Sequence, residues 1–316
     1  MSLIKKANEI EISKVVKMMI YGQAGMGKTT LALSAPNPLL LDFDNGVKRV
    51  NMHHLGDNVG IVQIRSWQDV IGVLQEDLSD YKSIVVDTIG KMMDFIISYR
   101  CGSRNPRIQD WGTINNDFKA FVNTLSSLNK NVIFVAHRDT RKEGDETVFV
   151  PSLREKNYNS IVTELDLLGY LEMRAENGVQ KRTITFDPTS RNDGKNTCNL
   201  PGVMIIPANL DANGQPIGKN DFIATQILGR YGRMIEEKEE AIKEYNTQLS
   251  EIEQGVEQIT DAASANYFAE HISDYKGNNS VIFKARDLFS KKVKELGLVY
   301  DKKAKKYNDK NDEDAA

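Results

Sequence analysis

The chain contains 316 residues, of which 40% are hydrophobic and 27% are charged. This composition is that of an ordinary globular protein and excludes collagen-like, fibrous and wholly disordered chains. The 41 basic and 44 acidic residues give a formal net charge of −3, which excludes a uniformly basic nucleic-acid coat but allows a local basic loop on a neutral body.

The first predicted element is a buried strand over 17–21, followed by the octapeptide 22–29 and an apolar helical stretch that stops near Pro36. The octapeptide GQAGMGKT has the G-x-x-x-x-G-K-T spacing of a phosphate-binding loop. Its glycines let backbone N–H groups turn toward phosphate oxygens, and the helix behind adds its positive end. We expect Lys28 to reach the β and γ phosphates and the Thr29 hydroxyl to bind Mg²⁺. The predicted nucleotide-binding residues are Gly22, Gln23, Ala24, Gly25, Met26, Gly27, Lys28, Thr29 and Thr30.

Three further apolar runs predict buried strands over 39–43, 83–88 and 131–136, and a helix over 113–129 separates the last two. Alternation of strands and helices indicates a mainly parallel sheet that is covered by helices on both faces. The polar and charged residues 138–160 that follow predict a loop or lid.

Two more strands are predicted over 165–173 and 181–187, on either side of Asn177-Gly178, which is a strong hairpin signal. A loop is expected over 188–202, where Pro, Asn, Asp and Gly are frequent.

From about Tyr231 the chain becomes rich in Glu and Lys and predicts helices, with further helical stretches near 260–274 and 280–296. The mixed charges at the end of the chain predict disorder. We therefore expect an ATP-binding domain over 1–230, a small helical extension over 231–300 and a disordered charged tail over 301–316.

Polar side chains follow three of the predicted strands, at the sheet edge where ligands bind in such folds. Asp87 is expected to hold Mg²⁺, and its alternative role is to cap the helix that follows. Asp44, and less so Asp42, could activate the attacking water, or both could be solvated acids of a turn. His137 could sense the γ-phosphate, or bond to backbone at a strand end. The predicted catalytic set is therefore Lys28, Asp44, Asp87 and His137.

The segments GQAGMGKTT, LDFDNG, SIVVDT and VIFVAH together resemble the RecA-like ATPase core. More closely, they resemble the phage-borne, RecA-related ATP-binding proteins that act in single-strand annealing and recombination. The resemblance covers about 17–205 and implies an α/β RecA-like P-loop NTPase core with a mainly parallel sheet and a small α-helical C-terminal extension. It implies ATP and Mg²⁺ as cofactors, and the absence of an Asn/Thr-Lys-x-Asp motif argues against a GTPase.

The resemblance also implies residue roles. RecA-like proteins position the water with a carboxylate after the second strand, usually Glu, and this chain has Asp44, which is one methylene shorter and predicts slow hydrolysis. RecA-like proteins carry Gln after the fourth strand, and the phage group has His there, as in His137. A cation from a neighbouring subunit reaches the nucleotide in RecA-like assemblies. Lys195 is the candidate here, with Arg191 and Arg182 as weaker candidates, although the second cation typical of the phage group is missing. An ordinary exposed cation is the alternative.

In RecA-like filaments the loops after the third and fourth strands line the DNA-binding face. Here these are 100–112, with Arg104 and Arg107, and 138–160, with Arg138 and Arg141. Basic residues suit phosphates and an aromatic ring suits bases. Trp111 lies in the first loop, where packing in the core is its alternative role.

We therefore expect an ATP-binding protein and Mg²⁺-dependent ATPase that acts on single-stranded DNA in phage recombination, annealing or replication. A homo-oligomeric ring or filament is expected, with a single-strand-binding protein or helicase as a further partner. The alternative is an ATP-dependent protein-binding switch or loader that recruits a replication partner and does not bind DNA. Salt-dependent DNA binding would distinguish the two.

Other functional signals are weak. Cys101 and Cys198 form no CxxC pair, and the four histidines show no metal-binding spacing. The N-terminus lacks the apolar core of a signal peptide and no run of 18 apolar residues occurs. We expect a protein without a membrane span in the cytoplasm, that of the host cell if a phage encodes it.

Overall fold

The computed structural model of the protein describes residues 12–56, 58–176, 178–275 and 279–309. Contacts between Cα atoms divide the chain into two compact units. The first spans Ser13–Arg233, and the second contains the described residues from Met234 onward. Among the helices of the described residues, none is long and apolar enough to cross a membrane.

The first unit is built on a sheet that has ten strands in the described part of the chain. The main path runs in the order β10-β8-β7-β1-β5-β4-β2-β3, with β6 beside β5 and β9 beside β7. Strands β1 to β5 and β7 pair in parallel where they adjoin, whereas β6, β8, β9 and β10 pair antiparallel. The strands are β1 (Lys17–Gly22), β2 (Pro38–Asp42), β3 (Gly60–Gln63), β4 (Ser83–Asp87), β5 (Asn131–Glu143), β6 (Glu146–Pro151), β7 (Leu167–Glu176), β8 (Val179–Thr185), β9 (Lys195–Asn196) and β10 (Val203–Ile206).

Apolar packing covers both faces of this sheet, because successive side chains of a strand point to opposite faces. Along β1, Met19 and Tyr21 belong to one core, and Met18 and Ile20 belong to the other. The predicted mainly parallel α/β sheet with helices on both faces is therefore confirmed. The helices are α1 (Lys28–Ala32), α2 (Trp67–Val73), α3 (Ile89–Cys101), α4 (Asp110–Ser127) and α5 (Glu155–Glu164), and a π-helical segment (Ile223–Leu228) leads into α6 (Gly229–Glu257).

The prediction of a loop over 138–160 was wrong. Strand β5 continues to Glu143 and forms a hairpin with β6, after which α5 begins. The polar side chains of this ribbon are mostly exposed, so the apolar alternation that reveals a half-buried strand is missing. In β6, Val148 and Pro151 are buried, while Phe149 packs on Tyr170 with ring centroids 5.4 Å apart.

The hairpin predicted around Asn177-Gly178 is confirmed by the antiparallel pairing of β7 and β8. Gly178 has a φ of 79°, which favours glycine. Strand β3 and helix α2 were not predicted, although Ser66 and Asp69 carry a local signal, since they form the capping box of α2. Strand β10 was also missed, because four residues on a sheet edge give little periodicity.

The second unit is helical, as the composition predicts. It contains most of α6, then α7 (Ala262–His271) and α8 (Asn279–Glu295). A hairpin of β11 (Val299–Asp301) and β12 (Lys306–Asn308) follows, in a region where a disordered tail was predicted. Tyr307 explains the difference, because its backbone exchanges hydrogen bonds of 2.9 and 2.7 Å with the Asn266 amide. Residues 310–316 of the predicted tail lie outside the described residues.

Candidate nucleotide-binding site

The P-loop connects β1 to α1, as its sequence predicts. Gly22 is required by space, because a Cβ there would lie 2.5 Å from the Leu171 carbonyl oxygen. Gly27 has a φ of 79° and caps the N-terminus of α1. The buried Lys28 side chain donates from Nζ to the carbonyl oxygens of Gly22 and Gln23, at 3.0 and 2.9 Å. Its ammonium is thus held at the loop that would wrap the phosphates.

Burial lowers the pKa of Lys28, and the charges of Asp87 and Asp44 oppose that shift. Two carboxylates therefore help to keep this buried cation charged. A charged ammonium is what a triphosphate ligand requires at this position.

The Thr29 hydroxyl donates to Asp87 Oδ2 at 2.5 Å, so the two predicted metal ligands are neighbours. Asp87 is 3% exposed, and burial raises the pKa of its carboxyl to about 6, with a contribution from Asp42. The Thr29 hydrogen bond and Lys28 oppose that shift. Helix α3 is capped by Thr88, which accepts from Lys91 N, so the carboxylate of Asp87 is not used as the cap.

These donors fit Mg²⁺. The ion binds hard oxygens, and it commonly uses one or two protein carboxylates together with waters and substrate phosphates. Asp87 and Thr29 supply a carboxylate and a hydroxyl at the point where the P-loop would present phosphate oxygens. Among the described residues, no group of three or more His, Cys, Asp and Glu side chains could hold a metal ion.

The two acids after β2 have different surroundings. Asp42 is 2% exposed and accepts from the N–H groups of Gly46 and Val47, at 2.9 and 3.0 Å. It holds the turn that follows β2. Asp44 is more exposed, and its Oδ2 lies 3.9 Å from His137 Nε2. Of the two acids, Asp44 is the one available for chemistry at the cavity.

Burial lowers the pKa of His137, as does the Lys28 charge, while Asp44 opposes both effects. The imidazole is therefore predominantly neutral at pH 7. A neutral ring keeps both a donor and an acceptor nitrogen, so it can contact water or a phosphate oxygen.

The P-loop, Asp44, Asp87 and His137 surround one cavity of about 290 Å³. Sequence reasoning missed four of the lining residues: Gly46, Arg49 and Val50, which belong to the segment after β2, and Thr88, which follows β4. Sequence spacing does not predict that these residues line the cavity, because their position depends on the tertiary fold of the chain around the P-loop. The lining residues are Ala24, Gly25, Gly27, Lys28, Thr29, Thr30, Asp44, Gly46, Arg49, Val50, Asp87, Thr88 and His137.

A profile of the AAA domain family matches residues 14–198, which are more than half of the chain. The chain belongs to this family. Its AAA domain is an ATP-binding P-loop domain, and it has the mainly parallel α/β sheet that the sequence predicts.

One curated relative comes from a prophage. The SPbeta prophage-derived protein YorG of Bacillus subtilis strain 168 is 25% identical over 183 residues, which cover 51% of each chain. The chain thus spans about half the length of this relative. Among solved structures, the flagellar accessory protein FlaH of Methanocaldococcus jannaschii covers 61% of this chain and 90% of its own, with 12% identity and a TM-score of 0.35. The KaiC-like protein PH0186 of Pyrococcus horikoshii OT3 covers 61% of this chain and 89% of its own, with 12% identity and a TM-score of 0.37.

A second cleft of the AAA domain, about 550 Å³ in volume, adjoins the nucleotide cavity. Asp44, Thr88 and His137 line both spaces. Its far side carries Trp111 at the start of α4, and the Arg154 guanidinium lies 3.3 Å from the centroid of that ring. Trp111 also packs on the apolar core, so the indole both closes the core and lines the cleft.

The structure does not bring the four predicted DNA-binding arginines together as free cations. Arg104 makes two hydrogen bonds to the Asp110 carboxylate, at 2.5 and 2.9 Å. Arg141 pairs with Glu143 and Asp193. The guanidinium of Arg138 lies 4.3 Å from the Phe149 ring centroid and donates to the Tyr170 hydroxyl. Arg107 is exposed and carries no such contact of its side chain among the described residues.

Lys195 has a local partner in the AAA domain. Its Nζ donates to the carbonyl oxygens of Val162 and Thr163, at 2.9 and 3.1 Å. These carbonyls belong to the last turn of α5, where a cation is favoured by the helix dipole. In this conformation the ammonium is engaged within its own chain.

Proposed function

We propose that this protein is a Mg²⁺-dependent ATPase that acts on single-stranded DNA in the recombination, annealing or replication of a phage genome. One observation carries the proposal. The nucleotide cavity and the second cleft share Asp44, Thr88 and His137, so an occupant of the cleft contacts residues that also face the γ end of the nucleotide. Such a shared wall couples hydrolysis to the presence of a second ligand.

In the proposed reaction, the P-loop N–H groups and Lys28 hold the phosphates, while Thr29 and Asp87 hold Mg²⁺. The ion would neutralise charge on the transferred phosphoryl group. Asp44 orients the attacking water and accepts its proton, and His137, 3.9 Å away, contacts the same region. Because the Asp44 side chain is short and partly exposed, slow hydrolysis is expected.

The chemistry of the cleft supports a single-stranded nucleic acid as its occupant. Trp111 offers an aromatic surface, and Arg154 stacked on it supplies a positive charge at 3.3 Å. Stacking and phosphate contacts are the two interactions that bind single strands without strong sequence preference. Arg107, in the exposed loop between α3 and α4, is the cation available to extend this surface.

The phage setting is supported by the relative YorG, whose name places it in the SPbeta prophage. Assembly of several copies into a ring or filament, and association with a single-strand-binding protein or helicase, form part of the proposal. In such an assembly, Lys195 would have to leave the α5 carbonyls to reach a neighbouring nucleotide.

The second candidate function is an ATP-dependent switch that binds a protein instead of DNA. Ile108, in the loop between α3 and α4, is 95% exposed and would be an apolar contact for such a partner. Under this alternative, the loop would recruit a replication protein, and DNA would leave the ATPase rate unchanged.

The deciding experiment measures ATP hydrolysis with and without single-stranded DNA, at low and high salt. Lys28→Ala tests the nucleotide site, and Lys119→Ala, an exposed lysine that lines neither cavity, is the matched control. We expect DNA to stimulate the wild type and the control, and Lys28→Ala to lose the activity. ATP binding without any effect of DNA at low salt would move the assignment to the protein-binding switch.

A further inference from the structure

We propose that Arg182 of β8 is a nucleotide-binding residue that acts within its own chain, where its guanidinium donates to the phosphate chain of the nucleotide held by the P-loop. This inference rests on the nucleotide binding described above and adds a contact from outside the P-loop and the strand ends that follow it.

The sheet register carries Arg182 to the P-loop. Gly22 of β1 pairs with Leu171 of β7, and Leu171 pairs with Ile184 of β8. Because β8 runs antiparallel to β7, Arg182 lies two residues beyond that level, past the carboxyl end of β1. Residues two apart on a strand share a face. Arg182 therefore lies on the face of Ile184, which packs in the same core as Leu31 of α1.

The guanidinium lies against the start of α1. A Cβ built on Gly27 would be 3.0 Å from Arg182 Nη1 and 3.2 Å from its Cζ. Gly27 caps α1, whose first N–H groups belong to the phosphate-binding loop. A group bound to those N–H groups is thus within reach of the guanidinium.

Within the described part of the chain, no carboxylate pairs with Arg182. Its Nε is buried and has no hydrogen-bond partner among the described residues. Burial lowers the pKa of the guanidinium, and no carboxylate opposes that effect. By contrast, Arg104 and Arg141 are paired with carboxylates. A partly buried cation without an anion is unfavourable, and Lys28 and the positive end of α1 lie on the P-loop beside it. A phosphate ligand would supply negative charge to Arg182, to Lys28 and to the positive end of α1.

The position of β8 indicates which phosphates are involved. Asp87 and His137 lie on β4 and β5, on one side of β1 in the sheet, whereas β8 lies beyond β7 on the other side. The γ-phosphate is assigned to the side of Asp87 and His137. Arg182 is therefore placed at the α and β phosphates. Its removal should weaken the binding of ADP as much as the binding of ATP.

The test is a titration of the full chain with fluorescent ADP and ATP analogues. Arg182→Gln removes the charge, Arg182→Lys keeps the charge without the planar fork, and Arg230→Gln, an exposed arginine bonded to Gln226, is the control. We expect Arg182→Gln to weaken both nucleotides by about 10- to 100-fold, and Arg182→Lys to weaken them less. The control should bind as the wild type does.

Thermal unfolding without nucleotide separates binding from a structural role. Since Arg182 is unpaired, Arg182→Gln should leave the melting temperature unchanged or raise it, while the stabilisation by ADP shrinks. If Arg182→Gln binds both nucleotides as tightly as the wild type does, this inference is wrong while the proposed function stands. Arg182→Lys serves for the same comparison if Arg182→Gln does not fold. A wild-type chain that binds neither nucleotide would overturn the proposed function and this inference with it.

Discussion

The hydroxyl of Thr29 donates a 2.5 Å hydrogen bond to the carboxylate of Asp87, across 58 residues of sequence. This bond joins the P-loop to the carboxyl end of β4. It also ties a buried acid, whose pKa is raised to about 6, to the residue beside Lys28.

Replacement of Asp87 by Asn should change how stability depends on pH. In the nucleotide-free protein, burial raises the pKa of Asp87 from 3.8 to about 6. Between these values the folded state holds the proton that the unfolded state has released, so stability falls as pH rises through this window, by about 3 kcal/mol in total. The stability of Asp87→Asn should not fall as pH rises through this window, so this variant should be more stable than the wild type at pH 7.

Urea unfolding between pH 4 and 7.5 measures this effect. The control is Asp94→Asn, which replaces an exposed acid of α3 that pairs with Lys91. A stability difference between the wild type and Asp87→Asn that stays constant between pH 4 and 7.5 would show that burial does not raise the pKa of the Asp87 carboxyl.

Replacement of Asp44 by Asn should separate hydrolysis from binding. The side chain lies beside His137 at the cavity and supports no backbone turn, unlike Asp42. We expect a fall in kcat of about 100-fold or more, with little change in the affinity for ATP, because a general base acts in the transition state. Single-turnover hydrolysis and nucleotide titration measure the two quantities, and a rate equal to that of the wild type would remove Asp44 from the mechanism. Asp44→Glu tests whether the longer carboxylate increases the rate.

Charge reversal in the loop between α3 and α4 should give position-dependent results. Arg107→Glu should weaken binding of single-stranded DNA and reduce the slope of log affinity against log salt by about 1, as expected for one lost phosphate contact. Arg104→Glu also breaks the pair with Asp110, so it should lower thermal stability as well. Arg230→Glu is the surface control. Equal DNA affinity in Arg107→Glu and the control would exclude this loop from the interface.

Replacement of Lys195 by Met tests whether this lysine acts at a neighbouring nucleotide. Its ammonium caps the last turn of α5 through Val162 and Thr163. The contacts within the chain predict a loss of about 1 kcal/mol of stability and an unchanged rate per subunit. A role in trans predicts instead that hydrolysis falls at concentrations where subunits assemble. Denaturant unfolding and a concentration series of the ATPase rate distinguish the two outcomes.

The sequence predicts the nucleotide site well because its elements are local or follow from strand order. The P-loop spacing specifies a turn before a helix, and parallel strands bring Asp44, Asp87 and His137 to one edge. The wall formed by Arg49 and the approach of Arg182 depend on side chains that meet across several elements. No periodicity encodes such a meeting.

The arginines that were predicted to bind DNA show a second limit of prediction from sequence. Arg104 and Arg138 were predicted to face DNA, yet each has a partner within the domain, Asp110 for one and Phe149 for the other. The partner of Arg138 lies on β6, a strand that the polar composition of its hairpin concealed. Counting charges in a loop could not reveal which of them were already engaged.

The two acids of the sequence Asp42-Phe43-Asp44 have different positions. Asp42 anchors the turn through the N–H groups of Gly46 and Val47, and Asp44 faces the cavity. Under the proposed mechanism, a substitution of Asp44 would therefore change how long ATP stays bound before hydrolysis, without unfolding the turn that Asp42 holds.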